Sequence, residues 1–272
     1  MGMLVELVMT KNLCILLFLH TFIHVFPQTN EINILAKKVN VLQEKRLSNY
    51  STDSRDTVFT KFDSAIINLF QQKEFCSYQP DTSYYCFLTS DSISNYQGIT
   101  LTYAFINYIV YTVSQDNKIR IFSWDNLDGG SYHTYTNFVQ INTDNDQCEV
   151  VPFDTSELNA EVGYYRINQI DQGGKTFYLL FGHGTYGGGK HHKIAKIFYI
   201  ENGVFTECFD CYPETRNLLI YSNRGQEIGL QFDKKQKKLT YKQFMFNDDM
   251  GFFTDDFVEV TYKFQNNKLI KE

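Results

Sequence analysis

Apolar and polar positions change period twice along this chain. Residues 14–26, CILLFLHTFIHVF, form one apolar run between Lys11 and the polar exit Pro27-Gln28-Thr29. A positive start, about a dozen apolar residues and a polar exit make a secretory signal, and the run falls short of the ~20 residues that a membrane span needs. The pattern predicts a signal over 1–28, with Met9 as an alternative start, and no transmembrane segment in the mature chain. The period then turns helical. Ile32, Leu35, Val39 and Leu42 recur on one face over 31–47, with Asn30 as the cap. After a polar break, Phe59, Phe62, Ile66, Leu69 and Phe70 mark a second helix, capped by Ser54 or Asp56. An N-terminal helical pair over 29–73 is expected.

From about Tyr84 the period is two. Strands are predicted at 84–88, 99–105, 108–113, 118–124, 132–141, 148–153, 164–170, 175–181, 193–200 and 204–208. Further strands follow at 218–222, 227–232, 239–246 and 258–264, with a short one near Leu269. Short turns such as Asp128-Gly-Gly, Gln172-Gly-Gly, Asn202-Gly and Asn223-Arg-Gly separate them. Strands so closely spaced pair antiparallel, because parallel pairs need long crossovers. The expected fold is mainly β: an antiparallel multi-stranded domain over 74–272, as a sandwich, a barrel or a small irregular propeller-like array, behind the helical pair.

Composition sharpens this picture. Phe (24) and Tyr (19) suit a pleated, half-buried surface, and Pro (4) is scarce. The net charge of −6 offers no basic field, which argues against nucleic acid or an anionic membrane as partner. The mature cysteines are Cys76, Cys86, Cys148, Cys208 and Cys211, an odd number. In an oxidising compartment Cys76 with Cys86 would close the loop around Pro80-Asp81, and Cys208 with Cys211 would form a local pair. Five buried thiols are the alternative.

Candidate chemistry is sparse. The stretch from Phe181 to His192, FGHGTYGGGKHH, fits G-x-G-x-x-G and, less well, G-x-x-x-x-G-K. Both patterns need a helix to begin among the glycines, whereas the sequence beyond reads as a strand. A flexible glycine-rich loop is expected there instead. Its His183, His191 and His192 are candidate ligands for zinc or copper, if three or four donors converge. Cys208-Phe-Asp-Cys211 lacks the second pair that zinc requires. Asn142-Thr-Asp144-Asn-Asp146 starts like a calcium loop but lacks its glycine and its final glutamate. The pairs Asp248-Asp249 and Asp255-Asp256 have the composition of glycosidase acids or of a solvated loop. Trp124, Asp125, Tyr132 and Tyr135 are candidates for an aromatic–acid surface that takes a sugar or peptide; packing of Trp124 with Phe122 or Phe138 is the competing reading. There is no G-x-S-x-G, histidines are few, and no cofactor is implied.

One stretch is similar to a known group. Asp116-Asn-Lys-Ile-Arg-Ile-Phe-Ser-Trp124-Asp125 with Gly129-Gly130, the apolar strand before the glycines at 177–189, and Val260-Thr-Tyr-Lys-Phe264 resemble patterns in uncharacterised exported β-rich proteins of Bacteroidota, of flavobacterial type. The resemblance spans roughly residue 99 to the end. It implies an exported bacterial protein, periplasmic, secreted or on the cell surface, and brings no activity with it. The expected role is a non-enzymatic binding module for a protein, peptide or glycan. The alternative is a periplasmic or secreted hydrolase, metal-assisted through the 183–192 loop.

Overall fold

The structure, a computed structural model, describes residues 28–48, 55–80, 86–89, 100–142, 148–153, 161–212 and 217–272. The apolar run 14–26 and the acids Asp144 and Asp146 lie outside the described residues. The chain divides into two compact units, one up to Tyr84 and one from Tyr85. No described helix is long and apolar enough to cross a membrane.

The first unit is the expected helical pair, α1 (Gln28–Ser48) and α2 (Arg55–Phe70). Asn30 lies inside α1 and does not cap it. The buried positions of α1 are Ile32, Ala36, Val39, Gln43 and Arg46, so the buried stripe is polar at its C-terminal end. The Arg46 guanidinium stands 4.9 Å from the ring centroids of both Phe59 and Phe62 and donates to Gln43 Oε1 at 3.1 Å. Burial raises the pKa of the Asp63 carboxyl, and Arg46 partly opposes that rise. Beyond α2 a 3-10 turn, Lys73–Cys76, seats Phe75 against Phe70 with ring centroids 5.0 Å apart.

Among the described residues the second unit holds three successive sheets, mainly antiparallel, that form no closed barrel, and the molecule is mainly β. The first sheet runs β1 (Phe87–Thr89), β2 (Ile109–Val113), β3 (Ile119–Asp125), β4 (Tyr135–Asn142) and β5 (Cys148–Pro152) in spatial order. Its one parallel pair, β1 with β2, is bridged in sequence by α3 (Leu101–Asn107). A strand was expected over 99–105. The Thr100 side chain instead accepts from the Tyr103 backbone N–H, and Ala104 and Phe105 are buried. An N-cap and a helical apolar pair prevail over the β propensity of the tyrosine and phenylalanine.

The second sheet contains β6 (Gly163–Gln172), β7 (Lys175–Gly187), β8 (Lys190–Glu201) and β10 (Leu218–Asn223), with β9 (Val204–Glu207) also paired to β8. The third contains β11 (Gln231–Asp233), β12 (Lys238–Asn247), β13 (Phe252–Gln265) and β14 (Lys268–Lys271). The middle sheet is covered on both faces. Tyr178 and Leu180 of β7 pack with Ile119 and Ile121 of the first sheet. Phe177, Leu179 and Phe181 pack with Leu239, Val260 and Phe264 of the third. A strand covered on both sides reads as a continuous apolar run, as 177–181 does.

The cysteines pair differently from one expectation. Cys208 and Cys211 are joined, with Cα atoms 5.4 Å apart. Cys76 and Cys148 each take part in a disulfide, while Cys86 is a buried thiol at the head of β1. The expected Cys76 to Cys86 closure is therefore not formed.

Candidate functional site

Strand geometry decides which candidate side chains meet. β7 and β8 form one hairpin, closed at Gly188 and Gly189 with φ of 53° and 80°. Two residues at positive φ make the turn that matches the twist of flanking strands. The expected flexible loop at 183–192 is thus an ordered ribbon. Close approach dictates its other glycines. A Cβ on Gly184 would lie 2.1 Å from the Glu161 carbonyl oxygen, and one on Gly182 would lie 2.7 Å from Ile194 Cγ2. β8, not a helix, follows the glycines, so neither nucleotide pattern has the helix N-terminus it needs.

Consecutive strand residues face opposite sides of a sheet, and this separates His191 from His192. His183 and His191, with ring centroids 5.3 Å apart, share the side of Phe181 and Ala195. His192 faces the side of Ile194 and Phe198. The three-imidazole metal site expected at His183, His191 and His192 is therefore not assembled. Among the described residues no group of three His, Cys, Asp or Glu side chains is arranged to hold a metal. His192 is walled in instead, with Nε2 3.1 Å from the Glu161 carbonyl oxygen and its ring 5.9 Å from that of Tyr221. Burial pushes its pKa down to about 4.

A different constellation stands on the His183 side. Asp125, fully buried at the end of β3, places Oδ2 2.7 Å from His133 Nδ1, and its Oδ1 accepts from the Leu127 N–H at 2.6 Å. The two atoms stand at ion-pairing distance, so the carboxylate lies where it would meet a positive charge on the imidazole. The His133 backbone N–H donates to Thr185 Oγ1 at 2.9 Å. His183 Nε2 lies 2.9 Å from Thr102 Oγ1 of α3, while its buried Nδ1 has no hydrogen-bond partner among the described residues. Burial first, then the neighbouring His191, Lys193, His192 and His133, hold the His183 pKa well below the usual imidazole range. Burial and Arg224, whose Nε is 3.4 Å from His191 Nε2, lower that of His191 as well. Three imidazoles and one carboxylate thus meet at one end of the β7–β8 hairpin. The Asp125–His133 contact was missed from sequence, although a signal existed: the Asp128-Gly-Gly turn folds Asp125 back opposite Tyr135.

The expected aromatic–acid surface at Trp124, Asp125, Tyr132 and Tyr135 is not formed. Trp124 is 1% exposed and stacks on Phe138, with centroids 5.7 Å apart and planes 9° from parallel. Tyr135 is buried edge-on against Phe105. Of the four side chains, Tyr132 alone is exposed, because β3 and β4 are central strands whose large rings fill the interior. Asp248, Asp249, Asp255 and Asp256 are exposed on the β12–β13 hairpin.

At the opposite end of the β7–β8 hairpin a cleft of ≈ 450 Å³ opens. Asp116 and Lys118 line it from the β2–β3 turn, Lys175 and Tyr178 from β7, and Tyr199 and Glu201 from β8. Asp116 is firmly oriented. Its Oδ1 accepts from Ser114 Oγ at 2.6 Å, its Oδ2 accepts from the Tyr178 hydroxyl at 2.8 Å, and its N–H donates to Gln169 Oε1 at 2.9 Å. Burial, and then the Asp116 carboxylate, push the Tyr178 phenol above its usual range. The Lys175 ammonium lies 5.2 Å from the centroid of the Tyr199 ring. At ~3.3 Å per residue, Tyr178 and His183 are about 16 Å apart along β7, so the cleft and the imidazole cluster are separate places. Sequence reading missed the cleft, because turns far apart in the chain build it.

No protein-family model, curated protein or solved structure matches the chain.

Proposed function

We propose that this chain is an exported, non-catalytic binding module whose ligand, a short glycan or peptide, lies in the Tyr178–Tyr199 cleft. The cleft itself carries the reading: a concave site with the Tyr199 ring, the Tyr178 hydroxyl, two carboxylates and two ammonium groups. Ligand sites join aromatic walls to a few placed polar groups in this way. The Tyr199 ring offers a flat apolar face, and Asp116 and Glu201 offer acceptors for hydroxyl or amide donors. Disulfides at Cys208–Cys211 and at Cys76 and Cys148 support an oxidising compartment and hence export. The resemblance to exported Bacteroidota proteins points the same way.

The test is binding of the mature chain to a panel of oligosaccharides and peptides, followed by calorimetry. Saturable binding to at least one panel member, weakened about tenfold by Tyr199→Ala or Glu201→Ala, is expected. Binding that ignores both substitutions, or none across the panel, overturns it. A second reading, a metal-independent hydrolase, is favoured by the Asp125–His133 contact. There His133 Nε2 would take a proton from water while Asp125 stabilised the imidazolium. Turnover of an ester or glycoside substrate that His133→Ala abolishes would replace the binding reading with this one.

A further inference from the structure

The outer half of the β12–β13 hairpin departs from the rest of the β unit. Met245, Phe246, Met250, Phe252, Phe257 and Val258 are each 46–67% exposed. Residues 255–259 are exposed in unbroken succession, so neither face of the ribbon is covered there. The inner half is held from both sides, with β11 paired to 238–240 and β14 to 262–265. Nearer the tip, Asn223 Nδ2 donates to the Phe253 carbonyl and Gln226 Nε2 to the Thr254 carbonyl. Between these supports, over 257–260, β13 is paired with β12 on one side and with no strand on the other among the described residues.

Residues two apart on a strand share a face. Phe257 and Glu259 therefore share a face of this edge; Asp255, also exposed, precedes them in the bulge between the Phe253–Phe246 and Phe257–Phe244 pairs, and its Oδ1 accepts from Gln226 Nε2 at 3.1 Å. Charges on an edge strand normally discourage pairing with another chain. Here they flank an exposed ring, so they repel most strands while favouring one that brings the opposite charge. The chain already shows what these rings accept. Lys242, opposite Glu259 on β12, sets its ammonium 4.6 Å from the Phe257 centroid. Lys190 sets its own 5.1 Å from the Phe246 centroid. The inner flank of Phe257 thus has its cation, and the outer flank faces solvent.

We propose that this edge is a docking site for an extended segment of a partner protein, added as a further strand beside 257–260 and reaching Asp255 in the bulge. The pattern that fits is Lys or Arg, any residue, an apolar residue, any residue, Lys or Arg. The two cations meet Asp255 and Glu259, the apolar side chain covers Phe257, and backbone hydrogen bonds supply the rest. This site is distinct from the Tyr178–Tyr199 cleft and does not depend on what that cleft holds.

The probe is the fluorescent peptide Thr-Lys-Thr-Ile-Thr-Lys-Thr, titrated with the mature full chain, beside a control in which both lysines are glutamates. Saturable binding of the lysine peptide is expected, with at least about tenfold weaker binding of the control. Raising salt to about 0.5 M should weaken binding, because the pairs are exposed. The double variant Asp255→Lys with Glu259→Lys should reverse the preference toward the glutamate peptide. Since both positions are exposed, its thermal midpoint should match that of the parent, and Phe257→Ser provides an independent loss of binding with the charges intact. Equal binding of the two peptides, no saturable binding, or insensitivity to the charge reversal overturns the proposal. So does concentration-dependent dimerisation that Phe257→Ser abolishes, which would assign the edge to a second copy, or partition onto anionic vesicles, which would assign it to a lipid surface.

Discussion

β7 and β13 are the two longest strands, and they are used in opposite ways. β7 is buried from Phe177 to Thr185, with strands on both sides and a sheet over each face. β13 is one residue longer, yet at 255–259 it is exposed on both faces, and over 257–259 it is paired along one side. Both carry large apolar residues, so hydrophobicity alone does not separate them. What separates them is the layer stacked above. The first and third sheets close over β7, whereas no sheet among the described residues closes over the outer half of β13, which the side chains of Asn223, Gln226 and Lys190 touch. Stability should therefore be concentrated in the middle sheet, while the outer hairpin opens locally at little cost to the whole.

The sharpest way to break this contrast is a cavity in each strand. Leu180→Ala removes a fully buried side chain of β7 and should cost about 2–5 kcal/mol, read as a lower urea midpoint with an unchanged slope. A cost under about 1 kcal/mol would show that the middle sheet is not the stable centre.

Acidification is the next largest effect, and it too acts on the middle sheet. The pKa of His192 is depressed to about 4 in the folded chain, against an ordinary value of 6.5. Below 6.5 the unfolded chain takes up a proton that the folded one refuses, so stability falls with pH and the loss is complete near 4. His183, with its lowered pKa, adds to the loss in the same direction. From His192 alone the loss approaches about 3 kcal/mol. His192→Gln should flatten the dependence between those limits, and a slope unchanged by that substitution would refute the assignment.

The smallest effect is expected on β13. Phe257→Ser should move the urea midpoint by no more than about 0.5 kcal/mol, as exposed positions do. A larger loss would mean that the outer hairpin is held by more than β12.

Much of the fold was legible because its signals are local. The turn glycines and the period-two runs placed most strands within a few residues, and helical spacing found α1 and α2. The failures share a cause. At 99–105 the tyrosine and phenylalanine favoured a strand, but Thr100 as an N-cap decided for a helix. The glycines at 182–189 read as looseness, whereas Gly182 and Gly184 are small because Ile194 and the Glu161 carbonyl press against them. Trp124 and His192 looked like surface chemistry, and both are interior. Which face a residue takes depends on register, and which face is covered depends on a sheet far along the chain. Neither quantity is written in a local pattern. The Asp125–His133 contact and the Asp116–Tyr178 bond escaped for the same reason, since turns and strands brought from distant positions make both.

The order of the three sheets also sets a timetable. Each sheet is made mostly of strands adjacent in sequence, so their hairpins can close soon after synthesis. The face of β7 that bears Phe177, Leu179 and Phe181 must wait for much of its cover, because Leu239, Val260 and Phe264 lie some sixty to ninety residues further along the chain. Until those residues leave the ribosome, the nascent chain displays a flat apolar sheet to everything around it. A truncation before residue 239 would make that interval permanent, and aggregation during synthesis, more than instability once complete, is the hazard that this architecture carries.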